Sequence, residues 1–168
     1  AAIGALQECR QKRVRAVTVF TSGFSETGTA DGRNLEAELA TQLDGTFRMI
    51  GPNCLGVYCP DGGITQHPGG DYPRESGEVC FISQSGGLSE DFSRSLVNYG
   101  FRVSKVISYG NACDLNEADL LEYAEADPST RIVGMYIEGA RNGRKFAQVL
   151  RRTSKQKPVV VWKGGLTP

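Results

Sequence analysis

Between Gly77 and Trp162 the sequence keeps changing its period. Short apolar, β-branched runs at 79–82, 103–108, 132–137 and 159–162 alternate with helical spacing at 90–99, 117–126 and 143–152. Runs of that length, bounded by glycine and polar residues, read as strands rather than helix fragments. Strands that are separated by helices pair in parallel through right-handed crossovers, with the helices on the sheet faces. The expected class is α/β with an open parallel sheet, whose ligands bind at the carboxyl ends of the strands. Those ends carry Ser83-Gln84-Ser85, Tyr109-Gly110-Asn111, Glu138-Gly139 and Lys163-Gly164-Gly165.

The first of these ends, in the stretch GEVCFISQSGGL from Gly77 to Leu88, is the most informative. An apolar strand ends in two hydroxyls and two glycines and then turns into a helix. Unpaired N–H groups and the positive end of the helix dipole then face whatever sits above the strand, so a phosphate or carboxylate suits the site. Ser83, Ser85, Gly86 and Gly87 are the candidate phosphate-binding residues. The alternative is that the serines only cap the helix and the glycines only let it pack close to its strand. The turn is neither GxGxxG nor GxxxxGK[ST], so it is neither a dinucleotide fingerprint nor a P-loop.

Residues 1–50 read as helix 2–12, strand 14–20, turn 21–23, helix 35–43 and strand 47–50. This is the C-terminal half of a doubly wound domain. Because Ala1 opens directly on a helix without a methionine, the first half is expected to be missing. Residues 51–76 are rich in proline and glycine, hold no sustained period, and read as a connecting segment without secondary structure. Segments of this kind are usually functional or interdomain. Residues 77–168 form the second domain, expected to be truncated.

Lys plus Arg and Asp plus Glu balance at 19 each, which argues against a nucleic-acid partner. No apolar run approaches the roughly 18 residues of a membrane span, and the N-terminus lacks the apolar core of a signal peptide. The five cysteines are odd in number and lack CxxC spacing, so free thiols in the cytoplasm are expected, with neither disulfides nor a metal site.

Glu138 follows directly on the strand IVGMYI, which places its carboxylate on the functional rim. There it can orient an imidazole, accept a proton or cap the next helix. Asp114 and the acidic group from Glu117 to Asp119 fit a helix N-terminus, without a chemical role. Cys54 could be a reactive thiol, a neighbour of a ligand's thiol, or a small buried hydrophobe, the last being the default for a free cysteine. His67, the single histidine, reads as a surface or interface residue in a proline-rich loop. Lys163 could meet an anion or only solvate an edge.

Taken together, TSGFSETG, GPNCLG, ISQSGGLS, SYGNACDLNEADLLEYAEADPST, YIEGARNGRKF and KPVVVWKGGLT resemble the α-type part of the NDP-forming acyl-CoA synthetases, the superfamily of succinyl-CoA synthetase. The segments stand in the family's order and spacing from about Val14 to Thr167. The wording is closest to the acyl-CoA synthetase branch. The resemblance implies the C-terminal part of a Rossmann-like CoA-binding domain followed by a flavodoxin-like, succinyl-CoA ligase-like domain. It also implies exchange of acyl-CoA, NDP and phosphate for acid, CoA and NTP through a phosphohistidine.

By position, Phe20, Thr21 and Ser22 fall where family members touch CoA, and Asn53 and Cys54 fall near its thiol end. Ser83 and Ser85 fall at the helix start that holds phosphate or phosphohistidine, and Glu138 where a glutamate hydrogen-bonds the histidine. The glycine-rich CoA loop belongs before Ala1 and the phosphorylated histidine beyond KGGLT; His67 is not at its position. NDP or NTP, with Mg, would sit on a missing ATP-grasp partner, in an oligomer. At Glu90 the succinate enzymes have tyrosine, which bears on acyl specificity. This chain alone is expected to be inactive. Two other readings stay open: an acyl-CoA- or nucleotide-sensing regulatory domain, as in protein acetyltransferases fused to this fold, and a flavodoxin-like domain for another phosphate ligand.

Overall fold

A computed structural model describes residues 2–165. In chain order the elements are α1 (Ala2–Gln11), β1 (Ala16–Thr18), a 3-10 turn (Ser25–Thr27), α2 (Ala30–Ala40), β2 (Arg48–Ile50), β3 (Gly56–Cys59), β4 (Ile64–Thr65), β5 (Val79–Ser83), α3 (Gly86–Asn98), β6 (Val103–Ser108), α4 (Glu117–Ala126), β7 (Ile132–Ile137), α5 (Gly143–Thr153) and β8 (Val159–Lys163). The two sheets differ in size. Strands β1 and β2 form a parallel pair, and the other six lie in the order β4-β3-β6-β5-β7-β8.

Within the large sheet, β6, β5, β7 and β8 are mutually parallel, as their spacing demands. The chain runs from β5 to β6 on one side and then returns past β5 to β7 on the other. Under right-handed crossover this reversal puts α3 on one face and α4 and α5 on the opposite face. Side chains of β5 divide accordingly. Cys80 and Ile82 join Leu121, Ala124, Val133, Met135, Phe146 and Val149 under α4 and α5, whereas Phe81 joins Val103, Val106 and Tyr58 on the α3 face. The Phe81 ring stacks on Phe92 of α3 at 3.9 Å between centroids. A third core surrounds the small sheet, where Leu6, Val19, Phe24, Leu39, Phe47 and Met49 are buried.

The structure corrects the reading of residues 51–76. They contain a hairpin whose first strand, β3, pairs antiparallel with β6 and whose second, β4, pairs antiparallel with β3. The signal is weak for a physical reason. Two strands of four and two residues, interrupted by Pro60 and a glycine pair, are too short to show a period and are fixed by pairing with β6 rather than by local propensity. The hairpin also corrects the placement of His67. Its ring is 4% exposed, with Nε2 3.4 Å from the Gly56 carbonyl, and packs between Tyr58 and Tyr72. Burial pushes its pKa below the ordinary histidine value.

Met49–Asn53 joins the two sheets because it is bonded along both edges. Val19 N–H donates to the Ile50 carbonyl and Asn53 N–H to the Thr21 carbonyl on one side. On the other, Asn111, Cys113 and Leu115 donate to Pro52, Gly51 and Met49. Arg48 also chelates Asp114 across this seam, at 2.9–3.2 Å. The approach at Gly110 is so close, at a φ of +57°, that a Cβ would stand 2.2 Å from the Pro52 carbonyl.

Beneath the amino edge of the sheet, the buried ammonium of Lys105 is paired with Asp127, which also accepts from Ser129 and Thr130. Burial alone would raise the Asp127 carboxyl; these hydrogen bonds outweigh it and hold the group well below the usual carboxylate range. Asp127→Asn leaves Lys105 buried without its counter-charge. The variant should lose about 3 kcal/mol of stability, measured by urea unfolding.

Candidate functional site

The carboxyl edge of the large sheet faces the turns of the small one, and between them lies a cavity of about 540 Å³. Strand β5 ends in Ser83, and Ser85 caps α3 by accepting from Leu88 N–H at 3.3 Å. The N–H groups of Gly86 and Gly87, the first two of that helix, have no intrahelical acceptor. Gly86 brings the helix against the preceding loop, since a Cβ there would meet Leu55 Cγ at 2.9 Å. A Cβ on Gly87 would meet nothing within 4 Å. Ser85, Gly86 and Gly87 therefore bring the amino terminus of a helix to the cavity, an arrangement suited to an anion.

Eight of the ten residues chosen from sequence line this cavity: Phe20, Ser22, Asn53, Cys54, Ser85, Gly86, Gly87 and Glu138. Two do not. Ser83 is fully buried and donates its hydroxyl to the Ser85 carbonyl at 2.6 Å, so it braces the turn from below. Thr21 is exposed outside the lining residues and contributes its backbone carbonyl to Asn53. Phe20 is 49% exposed and forms an aromatic rim.

Glu138 stands exposed at the end of β7, where one carboxylate oxygen accepts from the Tyr136 hydroxyl at 3.3 Å. Its backbone is held from below, because the N–H groups of Glu138 and Gly139 both donate to Gln84 Oε1, at 2.8 and 3.3 Å. Cys54 is 5% exposed, its thiol donates to the Val19 carbonyl at 3.4 Å, and burial pushes its pKa up to about 11. It is a neutral wall residue, which is the default reading of its sequence position. Lys163 turns back on the carbonyls of Gly164 and Gly165.

Sequence reasoning missed the residues that hold the two halves of the cavity together. Glu36 of α2 is 8% exposed and accepts from the Ser25 N–H and hydroxyl, from Asn111 Nδ2 at 2.8 Å and from Arg141 at 2.9 Å. Arg141 also donates to the Asn111 carbonyl, and its backbone N–H donates to buried Glu117 at 2.9 Å. Asn111 further donates to Glu26 at 2.6 Å, and Glu26 accepts from the Gly23 and Phe24 N–H groups, closing the 23–26 turn. Asn111 and Gln84 do stand in strand-end triplets visible in the sequence. Glu36 looks there like any acidic residue on a solvated helix face.

The strand order, with its reversal at β5 and the α3 amino terminus at that switch, defines a flavodoxin-like α/β protein. More specifically, the family model described as succinyl-CoA ligase like flavodoxin domain matches residues 76–168, and the chain belongs to that family. It is 39% identical to the acetate–CoA ligase (ADP-forming) of Methanocaldococcus jannaschii over 164 residues, which is 96% of this chain and 22% of that protein. It is 37% identical to the α subunit of acetate–CoA ligase (ADP-forming) II of Pyrococcus furiosus, over 95% of this chain and 35% of that one. Among solved structures, acetyl-coenzyme A synthetase 1 of Candidatus Korarchaeum cryptofilum, in complex with phosphate and ADP, superposes with a TM-score of 0.85 at 34% identity. That superposition covers 98% of this chain and 35% of the other. The chain thus spans between 22% and 35% of the length of these relatives. No helix among the described residues is long and apolar enough to cross a membrane.

Burial alone would raise the Glu36 carboxyl, but the hydrogen bonds from Ser25, Asn111 and Arg141 outweigh it and hold the pKa below its ordinary 4.5. Stability from this group is therefore present above pH 4.5 and lost as the pH falls through the lower folded value. Glu36→Gln should cost about 1–3 kcal/mol at neutral pH, with the gap to wild type narrowing in acid unfolding titrations below that point.

Proposed function

We propose that this chain is the CoA- and phosphate-handling part of an NDP-forming acyl-CoA synthetase, which interconverts acyl-CoA, NDP and phosphate with acid, CoA and NTP. One observation carries the reading: the α3 amino terminus, the Glu138 carboxylate and the Asn53-Cys54 turn open into a single cavity. Phosphorolysis of a thioester needs a held phosphate beside the thioester carbonyl, and the later transfer needs a carboxylate to orient the histidine, so the grouping serves both steps.

In this reading the Gly86 and Gly87 N–H groups and the α3 dipole hold phosphate and stabilise the charge it carries through transfer. Phosphate attacks the thioester carbonyl, CoA leaves as the thiol, and an acyl phosphate results. A histidine nitrogen then takes the phosphoryl group, the carboxylate of the acid leaves, and the phosphohistidine passes the group to NDP, giving NTP and the free histidine. Glu138 hydrogen-bonds one ring nitrogen of that histidine and makes the other a better acceptor. The histidine is not His67, which is buried behind the hairpin and does not line the cavity. In this reading the histidine comes from another stretch of polypeptide, and NDP or NTP with Mg would bind to an ATP-grasp part.

CoA fits along Phe20, Ser22, Asn53 and Cys54. The exposed Phe20 ring offers a face for stacking, and the thiol end reaches a wall whose own cysteine does not ionise near neutrality. The unpaired cysteines support a cytoplasmic setting, and a relative that is itself an α subunit supports assembly with a further chain, which in this reading binds the nucleotide.

The test is incubation of the complete synthetase with γ-labelled nucleotide. Acid-labile, base-stable label on the protein is expected, lost on mutation of the histidine. Acyl-CoA binding without any label would instead mark a sensor. Glu138→Gln should slow phosphoryl transfer at least tenfold in single-turnover measurements while changing CoA affinity little, because it acts through the histidine.

A further inference from the structure

We propose, resting on the acyl-CoA synthetase reading, that Glu90 is a specificity-determining residue that excludes acids carrying a second carboxylate. The cavity has three kinds of wall already in use. Gly86 and Gly87 hold the phosphate, Cys54 faces the thiol end of CoA, and Glu138 faces the histidine. Of the other lining residues, Glu26 and Asn111 are bonded to each other and Gln84 to the Glu138 and Gly139 backbone, which leaves the side chains of Leu55, Pro68 and Glu90 for the tail of the acid.

Glu90 lies four residues after Gly86 on α3, so its side chain stands on the helix face that bears Gly86, with an axial rise of about 6 Å between the two positions. Its side chain therefore lines the same cavity one turn beyond the α3 amino terminus. The carboxylate is held in place from behind. Arg94, one turn on, donates to it at 2.9 Å and lies 5.6 Å from the centroid of the Tyr72 ring. Arg94 is itself outside the cavity lining, which contains the carboxylates of Glu26, Glu90 and Glu138 and no lysine or arginine.

A second carboxylate on the acid would thus face an acceptor-only group, without a cation on the wall to receive it. Methyl or methylene groups would instead pack on Leu55 and Pro68. Like charges separated by a few ångströms in a partly enclosed site repel strongly enough to shift selectivity by tenfold or more, roughly.

The experiment compares kcat/KM of the complete synthetase, with its nucleotide-binding part, for the straight-chain four-carbon monocarboxylic acid and the four-carbon dicarboxylic acid. The wild type should prefer the monoacid. Glu90→Gln, which removes the charge and frees Arg94, should raise the diacid-to-monoacid ratio about tenfold. Glu90→Ser should do the same, and Glu90→Asp should keep the wild-type preference. A ratio unchanged in both neutral variants, in enzyme that still ligates the monoacid, would overturn the role of Glu90 and leave the synthetase reading standing. A wild type that prefers the diacid would do so too. A wild type that ligates no acid would overturn the synthetase reading and this inference with it.

Discussion

The cavity exists because a carboxylate on a helix of the small sheet is buried against the large one. Glu36 gathers Ser25, Asn111 and Arg141, one from the turn before its own helix and two from strand ends of the other sheet. Burying a carboxylate costs several kcal/mol unless its oxygens are satisfied, so the group tolerates only arrangements in which all of these donors arrive together. That requirement fixes the distance between the sheets. The same Asn111 reaches Glu26 and Asn53, so the geometry of the 23–26 turn and of the Asn53-Cys54 turn is set by one side chain.

The second constraint is the reversal of direction at β5. Neighbouring strand ends diverge there, which leaves a crevice at the carboxyl edge, and the α3 amino terminus opens into it. The glycines at 86 and 110 then let loops approach within distances that a Cβ would prevent. Fold and site are linked here: the residues that permit close packing are also those that leave backbone N–H groups free.

Much of this was legible in the sequence. The four parallel strands and three helices after residue 76 are set by local period and by crossover handedness, and both can be read without a partner. Eight of ten chosen site residues meet in one cavity because they sit at strand ends, and strand ends share an edge. What escaped was set by tertiary pairing. The hairpin at 56–65 takes its form from β6, and His67 is buried only because that hairpin folds back. Ser83 looked like a ligand because hydroxyl and glycine share a turn, but its hydroxyl is satisfied by a carbonyl two residues away. Glu36 could not be told from a surface glutamate, because its partners lie up to 105 positions distant.

The neutral thiol of Cys54 has a further consequence for redox behaviour. With a pKa of about 11, about one molecule in ten thousand carries the thiolate at pH 7. Thiol–disulfide exchange runs through the thiolate, so this cysteine is a poor partner for mixed-disulfide formation. A disulfide brought to this wall would therefore meet almost no thiolate to attack it, and oxidants that consume accessible thiolates react slowly here.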